Sequence, residues 1–307
     1  MEGFVVPLLG LRVFISCIGL VGNVFLIVAI MQAKVNRVKS FELFLLGLAA
    51  ANLEEILIVT VFDIVLIFRP SSYGVRAWSC RSLKFLTKFG EVTSILFTVL
   101  ISIFRQQKLR DACKRANLPI YLDGVRSAWA MSSVCVLLAA LMSLPVFAIE
   151  PEGPAENVTR NATSCLLDFF QCSDTYCPVL NAVYKYLFLL VCNLLPLVVV
   201  TVTGCLIMAV LLGQRTTVTP AGGVSGKSKG SSLHRSTVAV LAAMGLFQLD
   251  WTLYLILQLT VDPTEFPFWA EVEFFISFSY TSFSPYVYGI GNNLFSLKTF
   301  RDMFKLR

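Results

Sequence analysis

Seven long apolar runs, separated by shorter polar stretches, dominate the hydropathy pattern of the chain. A helix that crosses the hydrocarbon core of a bilayer needs about 20 mostly apolar residues. The runs that meet this length predict membrane-spanning helices over residues 8–31, 41–68, 80–108, 128–148, 184–212, 237–259 and 268–290. The pattern therefore predicts an all-α membrane protein in which residues 1–307 form a single seven-transmembrane helix bundle.

Two polar segments interrupt or follow this pattern. Residues 213–235 are rich in Gly, Ser, Thr and Lys, a composition that is typical of a flexible linker. After the last run, Leu294, Leu297, Phe300 and Phe304 recur at helical spacing with basic residues between them. This spacing predicts a short amphipathic C-terminal helix over residues 294–304 that lies on the inner leaflet.

The composition is typical of a membrane protein, and the sequence contains no motif that indicates an enzyme. Hydrophobic residues make up 56% of the chain and charged residues 14%, whereas soluble domains carry about 25% charged residues. The one histidine, His234, lies in the polar linker, so a metal site built from histidines is not expected. No nucleophile motif or phosphate-binding glycine loop is present. We therefore expect no enzymatic activity, no metal and no cofactor.

The positions of Lys and Arg predict the orientation in the membrane. The segments after the first, third, fifth and seventh runs hold 16 of the 25 basic residues. Since basic loops stay in the cytoplasm, this face should be cytoplasmic and the N-terminus extracellular. Two glycosylation signals, at Asn157 and Asn161, fall on the predicted outer side. The excess of basic residues is therefore explained by orientation in the lipid bilayer of the plasma membrane, and no nucleic-acid partner is expected.

Cys80 and Arg105 mark the two ends of the third run. They are 25 residues apart, which is about 37 Å along a helix. Cys80 should therefore lie at the outer rim and Arg105 at the inner one. The predicted outer loop carries Cys165, Cys172 and Cys177, and the outer face is oxidising. We predict a disulfide between Cys80 and Cys172, with Cys165 or Cys177 as alternative partners.

A stripe of polar residues follows one face of the third run. Lys84, Lys88 and Glu91 recur at helical spacing, and Thr87 lies beside them. Such a stripe cannot face lipid, so it predicts the lining of a pocket that opens to the outside. The alternative is an ion pair between Lys88 and Glu91 that only braces the helices.

Other runs supply further candidates for the same pocket. Asp250 and Trp251 lie within the sixth run, and Glu271 and Phe274 lie near the outer end of the seventh. Ionisable groups within a membrane are functional candidates by default. The mixture of Lys and Glu suits a small polar ligand, and a carboxylate or an amine are both open. Arg residues at 69, 76 and 81, around the predicted mouth, favour acidic ligands slightly.

Taken together, several motifs resemble those of rhodopsin-like G-protein-coupled receptors. "GNVFLI" and "LAAAN" place Asn23 and Asn52 at the family's polar positions in helices one and two, and "SPYVY" resembles the seventh-helix Asn-Pro-x-x-Tyr motif. Cys80, Arg105, Trp129 and Pro196 fall at the expected places between them. The resemblance covers nearly the whole chain and implies a small-molecule ligand and a heterotrimeric G-protein as partners. It also implies signalling roles for a set of residues: Asn23, Asn52, Arg105, Pro285 and Tyr288.

The departures from the family pattern narrow the resemblance. The family's Asp-Arg-Tyr reads Phe104-Arg105-Gln106, and "FQLDWTLY" stands where the family has a Trp-x-Pro kink. These departures resemble the vomeronasal type-1 receptors and the fish olfactory receptors related to class A. The resemblance implies a pheromone or odorant receptor of chemosensory neurons. A bitter-taste-type receptor is the alternative, and a small-solute transporter or channel is a more distant one because no internal repeat is visible.

The missing carboxylates change the expected chemistry of the polar positions. Asn52 stands where the family usually has Asp, and a neutral amide is a poor ligand for a sodium ion even with Glu55 one turn away. Residue 104 is Phe, and residues 213–245 contain no Asp or Glu. We therefore expect hydrogen bonds, rather than a salt bridge, to hold Arg105 at rest, and appreciable basal signalling.

Overall fold

The computed structural model describes residues 2–33, 39–68, 77–114, 124–149, 170, 172, 177–216, 227–261, 268–292 and 294–295. These residues form seven long helices, which confirms the predicted all-α seven-helix bundle. The helices are α1 (Glu2–Ala33), α2 (Ser40–Phe68), α3 (Ala77–Lys114), α4 (Val125–Ser143), α5 (Val179–Thr216), α6 (Lys227–Thr260) and α7 (Trp269–Gly291).

Six of these helices are long and apolar enough to cross a membrane. In lipid a helix is favoured because it satisfies every backbone N–H and C=O within one segment. Among the described helices, α7 falls short of that hydropathy because it is rich in Ser, Thr and Tyr. Three of these polar residues, Thr281, Ser282 and Ser284, are buried inside the bundle and do not meet lipid.

Helix α5 is regular at both ends and widened in the middle. Val179–Phe188 and Leu195–Thr216 are α-helical, and Leu189–Leu194 between them forms a π-helical turn. Pro196 follows this turn by two residues. Because proline has no N–H, it removes one i→i−4 hydrogen bond, and a local π-turn is a common response to such a break.

The order of the helices in space places α3 at the centre. It packs against α2, α4 and α5 and also touches α6, while α1 packs between α2 and α7. Of its apolar segment 67% is buried, compared with 28% for α4. The main core cluster contains Ile95, Ile101 and Phe104 of α3. Residues on α3 are therefore well placed to connect the other helices.

Several boundaries differ from the predicted ones. The fourth α-helix ends at Ser143 and continues as a 3₁₀ turn, Leu144–Phe147, that begins next to Pro145. The predicted flexible linker over residues 213–235 is wrong at both ends, since α5 runs to Thr216 and α6 begins at Lys227. The predicted amphipathic helix, apart from residues 294 and 295, lies outside the described residues, as do Asn157 and Asn161.

Candidate functional site

A network of neutral side chains joins four helices in the middle of the bundle. The Asn52 amide donates to Asn23 Oδ1 and to Ser284 Oγ, both over 3.3 Å, and Ser94 donates to Asn52 Oδ1 over 2.7 Å. Asn23, Asn52 and Ser284 are each at most 1% exposed. These bonds connect α1, α2, α3 and α7. The two asparagines therefore act as interhelical hydrogen-bonding groups, each tied to a neighbouring helix.

Glu55 of α2 forms a hydrogen bond with α7. Thr281 donates from Oγ1 to Glu55 Oε2 over 3.3 Å, while its backbone oxygen accepts from Asn23 over 3.1 Å. The two residues that we considered for a sodium site thus have separate partners. No group of three or more His, Cys, Asp or Glu side chains in the described ranges is arranged to hold a metal ion.

Lys88 and Glu91, which precede Ser94 on α3, form a buried ion pair. Lys88 Nζ lies 2.6 Å from Glu91 Oε2 and donates to the Tyr254 hydroxyl over 3.2 Å. The ammonium also lies 5.6 Å from the centre of the Phe188 ring. Tyr254 belongs to α6 and Phe188 to α5, so the cation connects three helices. The ion pair that we considered as an alternative to pocket lining is present.

Parts of this cluster carry unused hydrogen-bonding capacity. Glu91 Oε1 and Thr87 Oγ1 are buried, and neither has a hydrogen-bond partner among the described residues. Lys84, one turn toward Cys80, is 7% exposed. Buried polar atoms without partners are rare in proteins and call for a physical reason. A bound ligand with a polar group would provide one.

The predicted residues on α6 have different neighbours. Ser279 of α7 donates a hydrogen bond to Asp250 Oδ2. Trp251 is buried against Tyr254 and Phe247, with ring centroids 5.3 and 6.0 Å apart. Its indole nitrogen has no hydrogen-bond partner in the described part of the chain. Trp251 is thus next to the Lys88 cluster through Tyr254, whereas Asp250 faces α7.

Glu271 and Phe274 lie at a separate place, between α1 and α7. Glu271 Oε1 is 3.9 Å from a guanidinium nitrogen of Arg12, and that guanidinium is 4.4 Å from the centre of the Phe274 ring. Phe274 belongs to the same buried apolar cluster as Ile56 of α2. The structure therefore brings Lys88, Glu91 and Trp251 together but places Glu271 and Phe274 in another contact.

At the predicted cytoplasmic end, Arg105 has only neutral partners among the described residues. Its guanidinium donates to Ser236 Oγ of α6 and, over 3.2 Å, to Asn292 Oδ1 after α7. It also stacks on the Phe41 ring, 3.7 Å from the ring centre. Ser236 in turn donates to Asn292 over 2.5 Å. Arg105 is 6% exposed, so these contacts hold a buried cation without a carboxylate, as we expected.

Sequence reasoning missed the three partners of Arg105. Ser236 and Asn292 are neutral, and the sequence gives no sign that they approach Arg105 from two other helices. Phe104 stands where the family has the adjacent carboxylate, and its ring is 1% exposed and packs on Phe41 and Phe44.

The α7 motif residues lie near this cluster. Pro285 is inside α7 and buried, and Tyr288 is fully buried. The Tyr288 backbone oxygen accepts a hydrogen bond from the Asn292 side chain over 2.8 Å. One turn before the proline, Tyr280 bonds to Thr98 of α3 over 2.7 Å. The motif thus lies in a stretch of α7 that is bonded to α3 above and to the Arg105 cluster below.

The predicted disulfide between Cys80 and Cys172 is wrong. Cys172 is bonded to Cys177, and only five residues separate the two. Their Cα atoms are 4.2 Å apart. Cys80 is also disulfide-bonded, which excludes Cys172 and Cys177 as its partners. The remaining alternative, Cys165, lies outside the described residues.

Comparison with known families gives one match over most of the chain. The model described as "7 transmembrane receptor (rhodopsin family)" matches residues 22–285. This range begins just before Asn23 and ends at Pro285, and it contains Lys88, Glu91 and Arg105. A search among curated proteins found no match.

Proposed function

Because the chain belongs to the rhodopsin family of seven-transmembrane receptors, we propose that it is a chemosensory receptor that binds a small water-soluble ligand and activates a heterotrimeric G-protein. Members of this family are signalling receptors and not enzymes. The finer proposal, a pheromone or odorant receptor similar to the vomeronasal type-1 group, rests on the sequence departures at Phe104 and in the sixth helix.

The observation that carries the proposal is the buried pair of Lys88 and Glu91. Its cation bonds to Tyr254, so α3 and α6 are joined through one charged contact. A buried pair is sensitive to any competing charge because removing one partner leaves the other uncompensated. A ligand carboxylate that reached Lys88 would therefore change how α3 and α6 pack.

Helices α3 and α6 also contact each other at Arg105, so a change in their packing at the ligand site can affect the predicted cytoplasmic end. Lys88 and Arg105 are 17 residues apart on α3, or about 26 Å. At that end α3 is bonded to α6 through Ser236 and to Asn292 after α7. A ligand can shift the equilibrium between two packings of these helices only if its affinity for the two packings differs. We propose that the ligand favours the packing in which Arg105 is released for the G-protein.

A screen followed by matched variants tests this function. Amino-acid metabolites, biogenic amines, bile acids and small aromatic acids would be applied to cells that express the receptor, with calcium and cAMP as readouts. Active compounds would then be tested for GTP exchange on purified G-protein. Ligand-evoked current without G-protein signalling would contradict the receptor proposal.

The site assignment has its own test with charge-matched controls. We expect Lys88→Ala and Glu91→Gln to change the potency of an active compound at least about tenfold, which corresponds to about 1.4 kcal/mol. Lys39→Ala and Glu42→Gln, both at the start of α2, remove the same charges away from the cluster and should leave potency within about twofold. A parent-like response of both cluster variants to every active compound would show that the ligand binds elsewhere.

A further inference from the structure

A groove on the outside of the bundle, between α2, α3 and α4, has the size of a small-molecule site. Its volume is about 640 Å³, within the usual range of about 300–1,000 Å³ for ligand pockets. Apolar side chains form most of its wall, including Leu46 and Ala50 of α2, Phe97 of α3 and Val136 and Leu137 of α4. Its lining includes none of Lys84, Thr87, Lys88 and Glu91.

The groove contains one acidic group, Glu54. Both of its carboxyl oxygens are buried, and neither has a hydrogen-bond partner among the described residues. The carboxyl group packs against Gly90 of α3, where a Cβ atom would collide with Oε2. The missing side chain at residue 90 thus makes room for a carboxyl group that no described protein group satisfies.

A second unpaired group lies on the opposite wall. Ser132 of α4 lines the groove, and its Oγ is buried without a hydrogen-bond partner in the described ranges. Native proteins seldom leave such atoms unsatisfied, since each costs the desolvation of a polar group. An acid on one wall and a hydroxyl on the other define a site with two polar contacts in an otherwise apolar space.

The exposed rim of the groove faces lipid. Trp129 and Leu137, both lining residues, are 59% and 64% exposed in the isolated bundle. Glu54 is 14 residues after the start of α2, which puts it about 21 Å along the helix and well inside the hydrocarbon layer. A ligand would therefore enter sideways from the bilayer.

We propose that this groove binds a lipophilic amine whose nitrogen pairs with Glu54 and whose apolar body covers the α2–α3–α4 wall. Charge complementarity selects this ligand class because the acidic group has no cationic partner in the described protein. The ligand can reach the groove through the lipid as the uncharged amine. A neutral amine that meets the protonated carboxyl group takes its proton on nitrogen, and an ammonium–carboxylate pair results. Such an ion pair is strong in a water-poor site.

Equilibrium binding to the full-length receptor in lipid nanodiscs tests the proposal. The probe is a tritiated tertiary amine with an aromatic body and a photoreactive diazirine, and its partner is the neutral analogue with CH in place of nitrogen. We expect saturable binding of the amine, crosslinks to peptides of α2, α3 or α4, and binding of the neutral analogue that is at least about tenfold weaker. The readout needs neither agonist nor G-protein, so it is independent of the proposed function.

Two variants distinguish the contribution of the Glu54 charge from that of the open volume of the groove. Glu54→Gln should weaken binding of the amine at least about tenfold while leaving that of the neutral analogue unchanged. Val136→Trp, at a partly exposed position of the groove, should block both probes without affecting the fold. Glu42→Gln is the control for loss of an acid on α2. Parent-like amine binding by Glu54→Gln or by Val136→Trp, equal binding of the two probes, or crosslinks confined to other helices would each overturn the proposal.

Discussion

Arg105 and Asn292 are in contact although 187 residues separate them in the chain, with the guanidinium donating to the amide oxygen over 3.2 Å. Ser236 bonds to both, so one small polar cluster joins α3, α6 and the end of α7. Hydrogen bonds to a charged group contribute about 1.5–3 kcal/mol each, less than a buried ion pair can cost to break. This end of the bundle is therefore held by contacts of moderate strength.

We predict that Ser236→Ala raises basal signalling. It removes a hydrogen bond of about 1.5–3 kcal/mol that favours the closed packing, so basal GTP exchange on purified G-protein should increase severalfold. Thr201→Ala, at an exposed position of α5, is the matched control and should leave the basal rate unchanged. A basal rate in Ser236→Ala equal to that of the parent would contradict a restraining role for this cluster.

The same cluster predicts the opposite effect for Asn292→Asp. A carboxylate at the position of the amide would form an ion pair with Arg105 and strengthen the closed packing. Basal GTP exchange should then fall below that of the parent. Phe104→Asp is a poorer way to add the carboxylate, because Phe104 is buried between Phe41 and Phe44 and the acid would disrupt this aromatic cluster. Higher basal exchange in well-folded Asn292→Asp would refute the prediction.

A third prediction concerns the stability contributed by Lys88 and Glu91. Lys88→Met leaves Glu91 buried without its cation and should destabilise the purified receptor by about 3–5 kcal/mol. Adding Glu91→Gln to this variant removes the unpaired charge and should recover part of the loss. Thermal unfolding of the parent, both single variants and the double variant gives the coupling free energy. Additive effects of the two changes would show that the pair is not coupled.

Local patterns predicted much of this architecture, because helix formation and pairs such as Lys88–Glu91 depend on residues close in the chain. The contacts of Arg105 could not be predicted, since Ser236 and Asn292 are neutral and come from distant helices. Glu54 shows the same limit. The sequence shows that Glu54 is next to Glu55. Only the packing of α2 against Gly90 shows that the Glu54 carboxyl group has no hydrogen-bond partner among the described residues.

The cysteine pattern yields a prediction for the outer loop. Since Cys172 and Cys177 bond to each other, we expect Cys80 to pair with Cys165. Mass spectrometry of unreduced peptides should find these two linkages. The double variant Cys172→Ser, Cys177→Ser should keep the Cys80 linkage, whereas Cys165→Ser should abolish it. A Cys80 peptide linked to any other cysteine would disprove the assignment.

Glycosylation provides the last prediction, because the disulfide and both signals belong to the same connection between α4 and α5. A disulfide such as Cys172–Cys177 persists on an oxidising face of the membrane, and Asn157 and Asn161 lie in the same connection. We therefore expect glycans on both asparagines and an extracellular N-terminus. Asn157→Gln and Asn161→Gln should each increase electrophoretic mobility, and the double variant should match the enzymatically deglycosylated parent. An N-terminal epitope tag should be labelled on intact cells. A tag that needs permeabilised cells, together with unmodified asparagines, would reverse the predicted orientation and would place Arg105 on the wrong side for a G-protein.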